Sequence, residues 1–180
     1  MRIPLLVAAA VSLLAVSARA NIVAVYNTHT GSSFDYTLRF TLDQPGEQLR
    51  AGDFITIYDV PSISSATAPA GFTISENLLG VTPPGFGAPQ VVDNPAIDNV
   101  TFTYAGATRT SAFDFVNATI VTNAGITGTA PGRAAGTTSF FVLGDQGSTN
   151  VTTVPAVPEP ASLTVLAVGG LALLRRRRNV

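Results

Sequence analysis

The sequence predicts an all-β fold, namely a single antiparallel β-sandwich or jelly-roll-like domain with a short apolar segment at each end of the chain. Three observations carry this prediction. Short stretches in the middle alternate between polar and apolar residues, turn-forming clusters separate them, and no stretch between 21 and 153 holds a convincing helical period. A chain of 180 residues has room for one such domain once its two ends are set aside.

The first element, residues 1–20, has the three parts of a signal peptide. Arg2 supplies the basic start and Leu5–Val16 the short apolar stretch. Ala18 and Ala20 are the small residues at positions −3 and −1 of a cleavage site. The apolar stretch is too short to span a membrane comfortably as a permanent helix. We therefore expect export through the secretory translocon and cleavage by signal peptidase after Ala20.

The second element is the exported β domain, predicted to cover residues 21–153. Residues 33–42 alternate strictly and predict a half-buried strand. The apolar face of this strand consists of Phe34, Tyr36, Leu38, Phe40 and Leu42. Shorter patterns predict further strands at Ile22–Tyr26, Phe54–Val60, Val100–Tyr104, Ala112–Thr122 and Thr138–Leu143. Ser75–Gly80 is expected to form a turn of helix. Strands without helical crossovers predict antiparallel pairing.

Charge and composition exclude several functions of this domain. Residues 21–157 contain four arginines and ten carboxylates, a net charge of −6 that disfavours nucleic-acid binding. Without cysteine there is no disulfide and no thiolate chemistry. The single histidine, His29, cannot supply a usual zinc site. It lies so close in sequence to Ser32, Ser33 and Asp35 that a catalytic triad could not easily align. We expect a solvated turn histidine, no catalytic residue and no cofactor.

Two pairs of carboxylates are the remaining candidates for chemistry. Asp93 and Asp98, in D-N-P-A-I-D-N, are candidate calcium ligands, although the loop lacks the spacing of a recognised site and turn capping explains them more simply. This pair and the pair of Asp53 and Asp59 could each supply calcium ligands or the acid and base of a glycosidase, but tryptophan, the usual platform for stacking sugars, is absent. A calcium- or carbohydrate-binding adhesion module and a hydrolase with an unrecognised site are therefore alternative functions.

Thr-x-Thr pairs raise a further alternative, ice binding, because flat threonine arrays are one way to bind ice. The pairs are Thr28–Thr30, Thr101–Thr103, Thr108–Thr110 and Thr127–Thr129. An ice-binding surface needs stacked strands in register, and these pairs are not evenly spaced along the chain. Threonine is also a common strand residue. The pairs are therefore expected to reflect β structure rather than a binding surface.

The last element, residues 154–180, has three parts. The proline-rich stretch 154–160 is expected to be extended and accessible, without a regular hydrogen-bonding ladder. The apolar stretch 161–174 predicts a helix of roughly 21 Å, shorter than the hydrocarbon core of a bilayer. It is followed by an arginine cluster that consists of Arg175, Arg176, Arg177 and Arg178. Because positive flanks stay in the cytoplasm, the C-terminus is predicted to lie inside and the domain outside.

The sequence V-P-E-P at 157–160, the apolar stretch and the arginine cluster together resemble the PEP-CTERM sorting signal. The same segment is also catalogued as the C-terminal domain of certain ice-binding proteins. The resemblance implies one partner, an exosortase, which is an integral membrane enzyme of Gram-negative bacteria. Its recognised residues would be Pro158, Glu159 and Pro160, with processing near them. The resemblance also implies a setting that contains exopolysaccharide and biofilm matrix.

These elements together predict a non-enzymatic surface or extracellular-matrix protein, exported through the inner membrane of a Gram-negative bacterium. Its precursor would be held in the membrane by the C-terminal helix and then processed by the exosortase. The product would reach the cell surface or the extracellular matrix, with exopolysaccharide as a candidate partner. No nucleic acid is expected to bind.

Overall fold

The computed structural model describes residues 21–42, 45–81, 93–140 and 144–156. The strands in this part of the chain are β1 (Asn21–Thr30), β2 (Ser33–Thr41), β3 (Glu47–Gln48), β4 (Phe54–Ile57), β5 (Ile63–Thr67), β6 (Phe72–Asn77), β7 (Asn99–Tyr104), β8 (Phe113–Thr122), β9 (Gly128–Phe140) and β10 (Gly144–Ala156). Among the described residues, no helix has the length and apolar character needed to cross a membrane. The predicted signal peptide and sorting helix lie outside the described residues.

The strands form two antiparallel sheets that pack face to face. The four-stranded sheet has the order β1-β2-β8-β5, and the six-stranded sheet has the order β10-β9-β4-β7-β6, with β3 paired to β9. Apolar side chains from both sheets form one buried cluster, in which Phe34 and Phe40 of β2 pack with Ile55 and Phe102 of the other sheet. Burial of such apolar surface is the dominant favourable term in folding. The predicted all-β antiparallel sandwich is confirmed.

The strictly alternating segment forms β2, and its predicted apolar face is confirmed except at its end. The fully buried residues of this face are Phe34, Tyr36, Leu38 and Phe40. Leu42 is 40% exposed, because the pairing of β1 with β2 ends at Asn21 and Thr41. Gly31 occupies the first position of the two-residue turn between these strands with φ 59°, a value that glycine adopts without strain.

Strands β9 and β10 pair along their entire length, yet the sequence patterns predict only Thr138–Leu143 in this region, and residues 141–143 of that stretch lie outside the described residues. The reason is composition: β9 is rich in alanine, glycine and threonine, which give no period-two contrast between apolar and polar residues. Small residues are required there. A Cβ atom at Gly136 would lie 2.6 Å from Ile22 Cγ2 and 2.7 Å from the Phe54 carbonyl oxygen. Glycine at this position therefore allows β1 to pack closely over β9.

Strand β10 continues to Ala156, three residues beyond the predicted end of the domain at 153. The expectation that the prolines prevent a regular ladder from 154 onward is wrong at Pro155, which pairs with Thr129. Proline is tolerated here because β10 is an edge strand, so a missing N–H group need not remove a ladder hydrogen bond. Val154 is only 5% exposed. The last three residues of β10 therefore belong to the folded sandwich.

The turn of helix expected at Ser75–Gly80 is wrong. Ser75–Asn77 instead completes β6 and pairs with β7. The strand is favoured over a helical turn because Phe72, at the start of β6, is buried and pairs with Tyr104. The expected strand Phe54–Val60 is also too long. Strand β4 ends at Ile57, and the chain leaves the extended conformation at Asp59, which has φ 56°.

Candidate functional site

The residues predicted to direct sorting and cleavage lie outside the described residues. They are Ala18, Ala20, Pro158, Glu159, Pro160, Arg175, Arg176, Arg177 and Arg178. The described structure instead defines where these segments join the sandwich. Strand β1 begins at Asn21, directly after the predicted cleavage site, and β10 ends at Ala156, directly before the V-P-E-P sequence.

Asp93 serves as a cap for neighbouring backbone and amide groups. Its Oδ2 accepts a hydrogen bond from the Gly80 N–H at 2.8 Å, and its Oδ1 accepts one from the Asn99 amide at 3.0 Å. The backbone carbonyl of Asp98 accepts a hydrogen bond from Val60. No group of three or more histidine, cysteine, aspartate or glutamate residues suited to a metal ion occurs among the described residues. The structure therefore gives the Asp93 carboxylate a hydrogen-bonding role within its loop, whereas Asp98 contributes its backbone carbonyl.

The other carboxylate pair is separated by a strand. Asp53 precedes β4 and Asp59 follows it, and the four residues of that strand alone span about 13 Å at roughly 3.3 Å per residue. A glycosidase holds its two carboxyl groups roughly 5–9.5 Å apart. Asp53 is nearly buried and accepts a hydrogen bond from the Arg50 N–H at 2.6 Å. The structure does not bring this pair together as an acid and a base.

His29 lies near the end of β1, where it is exposed. Its Nδ1 lies 2.7 Å from the Tyr26 hydroxyl, and its ring stacks on Phe34 with 5.3 Å between the ring centroids. Tyrosine and phenylalanine are thus its described partners, rather than the serines and the aspartate nearby in sequence. The imidazole covers the end of the β1–β2 hairpin.

Two of the Thr-x-Thr pairs lie in different sheets. Thr28 and Thr30 belong to β1 of the four-stranded sheet, whereas Thr101 and Thr103 belong to β7 of the six-stranded sheet. Thr101 is buried, and its hydroxyl lies 2.8 Å from that of Thr56. These two pairs do not share one surface.

A groove between the two sheets is the candidate functional site that the structure adds. It has a volume of about 690 Å³ and is lined by Val23–Tyr26 of β1, Thr129–Pro131 of β9 and Asn150–Thr153 of β10. Strands β1 and β10 are edge strands of their sheets. Edge strands carry backbone N–H and C=O groups that are not used by the ladder of their own sheet. The groove therefore lies between two such rows of backbone groups.

Two hydrogen bonds connect the sheets beside this groove. The Tyr36 hydroxyl donates to the Thr153 carbonyl oxygen at 2.9 Å, and the Asn150 amide donates to the Ala24 carbonyl oxygen at 3.4 Å. Burial, and to a lesser extent the nearby Tyr26, raises the pKa of Tyr36 well above its ordinary value. The Tyr36 hydroxyl therefore stays protonated and remains a donor.

The groove combines apolar contact surface with polar groups. Val151, at 68% exposed, presents its side chain to solvent. The Thr152 hydroxyl oxygen is buried and has no hydrogen-bond partner among the described residues. An extended chain could add hydrogen bonds to an edge strand and place side chains against the apolar walls, which is the usual geometry of strand addition.

Sequence reasoning did not single out the groove. Val151–Val154 reads V-T-T-V, which is a short strand pattern of the kind that indicates β structure. Such a pattern does not indicate which strand lies at the edge of a sheet, or which edge faces another. The groove therefore follows from the order of the strands.

The chain has an exported β domain, which is followed by a proline-rich motif, an apolar stretch and arginines. This order is typical of surface proteins that carry a C-terminal sorting signal. Residues 156–178 match the family model described as the PEP-CTERM protein-sorting motif, so the chain carries this motif at its C-terminus. The motif implies an exported cell-surface protein of Gram-negative bacteria that is processed by an exosortase. The match covers the tail and assigns no role to the sandwich. None of the curated proteins matches the chain.

The sandwich has a distant likeness to one solved structure. It is the crystal structure of ACE19, the collagen binding subdomain of Enterococcus faecalis surface protein ACE. The likeness has a TM-score of 0.34 and 14% sequence identity, and it covers 75% of this chain and 96% of that chain. At this TM-score the likeness supports no statement about the ligand of the present chain.

Proposed function

We propose that the chain is a non-enzymatic surface or extracellular-matrix protein, associated with exopolysaccharide or biofilm after an exosortase has processed its tail. One observation carries the proposal. The PEP-CTERM motif begins at residue 156, which is also the last residue of β10. The folded sandwich therefore ends where the sorting signal begins, so cleavage beyond Ala156 leaves every described strand intact.

In this proposal the sandwich lies close to the membrane before processing. Glu159 is three residues beyond Ala156, so it lies at most about 11 Å from the end of β10, even when the chain is fully extended. The apolar stretch begins at Ala161, about 18 Å beyond the strand at most. The arginine cluster keeps the far end of the tail in the cytoplasm. The enzyme that processes the tail therefore works beside the end of β10.

The proposal that the sandwich has no catalytic activity is supported by its polar groups. Asp93 is used for hydrogen bonds within its own loop. Asp53 and Asp59 lie at opposite ends of a strand, and His29 contacts aromatic rings.

Glu159→Ala tests the proposed processing. We expect the variant to retain its tail, because the change removes the carboxylate from the recognised motif, whereas the unaltered chain loses the arginine cluster. Intact mass spectrometry of the protein from membrane and medium fractions of the native cells distinguishes the two forms. The matched control is Glu76→Ala, which removes an exposed carboxylate from β6 and is expected to be processed normally. A mature protein that keeps all four terminal arginines in the unaltered chain contradicts the proposal.

A second candidate function is an adhesion module that binds calcium or carbohydrate. The groove between β1 and β10 favours adhesion, because it is lined by two strand edges. Thermal unfolding with and without excess calcium separates the calcium-dependent form of this function from the metal-independent form. A rise in melting temperature with calcium, lost in Asp93→Asn, supports the calcium-dependent form.

A further inference from the structure

Arg109 is held firmly beside a cluster of aromatic rings. Its backbone N–H donates to the Leu49 carbonyl oxygen at 2.9 Å, and its own carbonyl oxygen accepts from the Leu49 N–H at 3.0 Å. Its guanidinium carbon lies 4.0 Å from the ring centroid of Phe113 and 5.2 Å from that of Phe115. A cation over an aromatic face is attracted by the electrons of the ring. The position of the guanidinium is therefore defined by both its backbone and its side-chain contacts.

The charge of Arg109 is not neutralised within the described structure. Arg39, by contrast, forms an ion pair with Asp114 at 2.8 Å. Arg109 has no ion pair with a described residue, and its buried Nε atom has no hydrogen-bond partner among those residues. A buried donor without a partner costs free energy. An acceptor that reaches this nitrogen would remove that cost.

Arg109 lines a cavity of about 490 Å³ with mainly apolar walls. The lining residues are Ala70, Gly71, Tyr104, Gly106, Ala107, Thr108, Arg109 and Phe115. This volume is in the range of small-molecule sites, which typically combine apolar walls with a few polar groups. Tyr104 and Phe115 form part of an aromatic cluster, with 5.6 Å between their ring centroids. The walls can therefore contact an apolar group of about the size of one ring.

The glycine at position 106 maintains the shape of this cavity. A Cβ atom there would lie 2.5 Å from the Tyr104 hydroxyl oxygen. That hydroxyl donates to the Ala107 carbonyl oxygen at 2.6 Å. A larger residue would displace Tyr104 and its hydrogen bond. The small residue therefore leaves room for a well-positioned aromatic wall.

We infer that this cavity binds a carboxylate carried on an apolar, ring-sized group. The guanidinium would bind the carboxylate, because its planar N–H groups match the two carboxylate oxygens, while Tyr104 and Phe115 contact the apolar group. A single carboxylate fits better than a polyanion, because residues 21–157 carry a net charge of −6. The inference is independent of the proposed sorting and matrix function. Such a carboxylate occurs in free small acids and at the C-terminal residue of a peptide.

The test measures the binding of 3-phenylpropionate and of its amide to the exported chain by titration calorimetry. We expect saturable binding of the acid, and binding of the neutral amide at least about tenfold weaker, as for hydrogen bonds to charged groups. Arg109→Gln is expected to weaken binding of the acid by a similar factor. The matched control is Arg133→Gln, which removes an exposed arginine outside the cavity and is expected to bind normally.

A second variant keeps the guanidinium but fills the cavity. Ala107 is exposed, so Ala107→Phe is expected to fold and to abolish binding of the acid. Thermal unfolding of each variant confirms that it is folded. Equal binding of acid and amide, unchanged binding in Arg109→Gln, or no saturable binding of the acid overturns the inference.

The two sources of the carboxylate are distinguished with a short peptide. A pentapeptide that ends in phenylalanine is compared as the free acid and as the C-terminal amide. Tighter binding of the peptide acid than of 3-phenylpropionate assigns the site to a chain end, and the reverse order assigns it to a small acid. Both assignments require that each acid binds more tightly than its own amide.

Discussion

At the scale of single residues, Tyr36 connects the two sheets. It is fully buried in β2 of one sheet, and its hydroxyl donates to the Thr153 carbonyl oxygen in β10 of the other. A buried polar group requires a partner, because the loss of its hydration is otherwise uncompensated. The strict alternation of residues 33–42 predicts that Tyr36 faces the core, but it does not identify the partner 117 positions away.

Tyr36→Phe is expected to lower the free energy of unfolding by about 1–2 kcal/mol, because the Thr153 carbonyl loses its described donor. Denaturant unfolding followed by fluorescence measures this change. Tyr26→Phe is the matched control, since it removes a hydroxyl whose described hydrogen bond is to exposed His29 within the same strand. The control is expected to change stability by less than about 0.5 kcal/mol. Equal effects of the two substitutions would show that the hydrogen bond from Tyr36 to Thr153 contributes nothing to stability.

At the scale of elements, β9 shows how packing can require residues with low strand propensity. Ala134, Ala135 and Gly136 are buried in β9, where β4 pairs with them and β1 lies over them. Alanine and glycine are depleted in strands, so the sequence alone does not indicate a strand here. The small side chains are explained by the close approach of Ile22 to Gly136.

Gly136→Ala is expected to destabilise the sandwich by about 1–3 kcal/mol, because the added methyl group meets a backbone oxygen that cannot easily move. The midpoint of urea denaturation measures the change. Gly125→Ala provides the control: a Cβ atom there has open space around it, and the change is expected to stay within about 0.5 kcal/mol. No destabilisation in Gly136→Ala would mean that β1 can shift away from β9.

At the scale of the whole molecule, the sandwich and the sorting signal meet at one residue. Strand β10 uses Val154–Ala156 for pairing with β9, and both Val154 and Pro155 are buried. Cleavage within β10 would therefore remove part of the fold, whereas cleavage beyond Ala156 would not. The folded domain thereby limits the positions at which processing leaves a stable product.

A chain that ends at Thr153 is expected to be less stable than one that ends at Ala156. The burial of the Val154 side chain alone is expected to contribute about 1.5–3 kcal/mol to the free energy of unfolding. The comparison uses thermal unfolding of the two shortened chains under identical conditions. If they melt at the same temperature, the last three residues of β10 do not contribute to the fold.

The sequence by itself determined the class of fold and the destination of the protein, because both depend on local patterns. Alternation with a period of two identifies a strand such as β2 without knowledge of its partners. The order of proline motif, apolar stretch and arginine cluster likewise identifies the sorting signal, which the match at 156–178 confirms. Strands without this alternation, such as β9, could not be predicted in the same way.

Only the tertiary structure decided which residues meet. The groove joins β1 to β10 from opposite ends of the described chain, and the cavity at Arg109 combines side chains of β7, β8 and the loops beside them. Neither arrangement has a local signature, because each depends on the order in which strands pair within a sheet and on how the two sheets stack. Long-range pairing places distant residues in contact, and it is there that the candidate binding sites form.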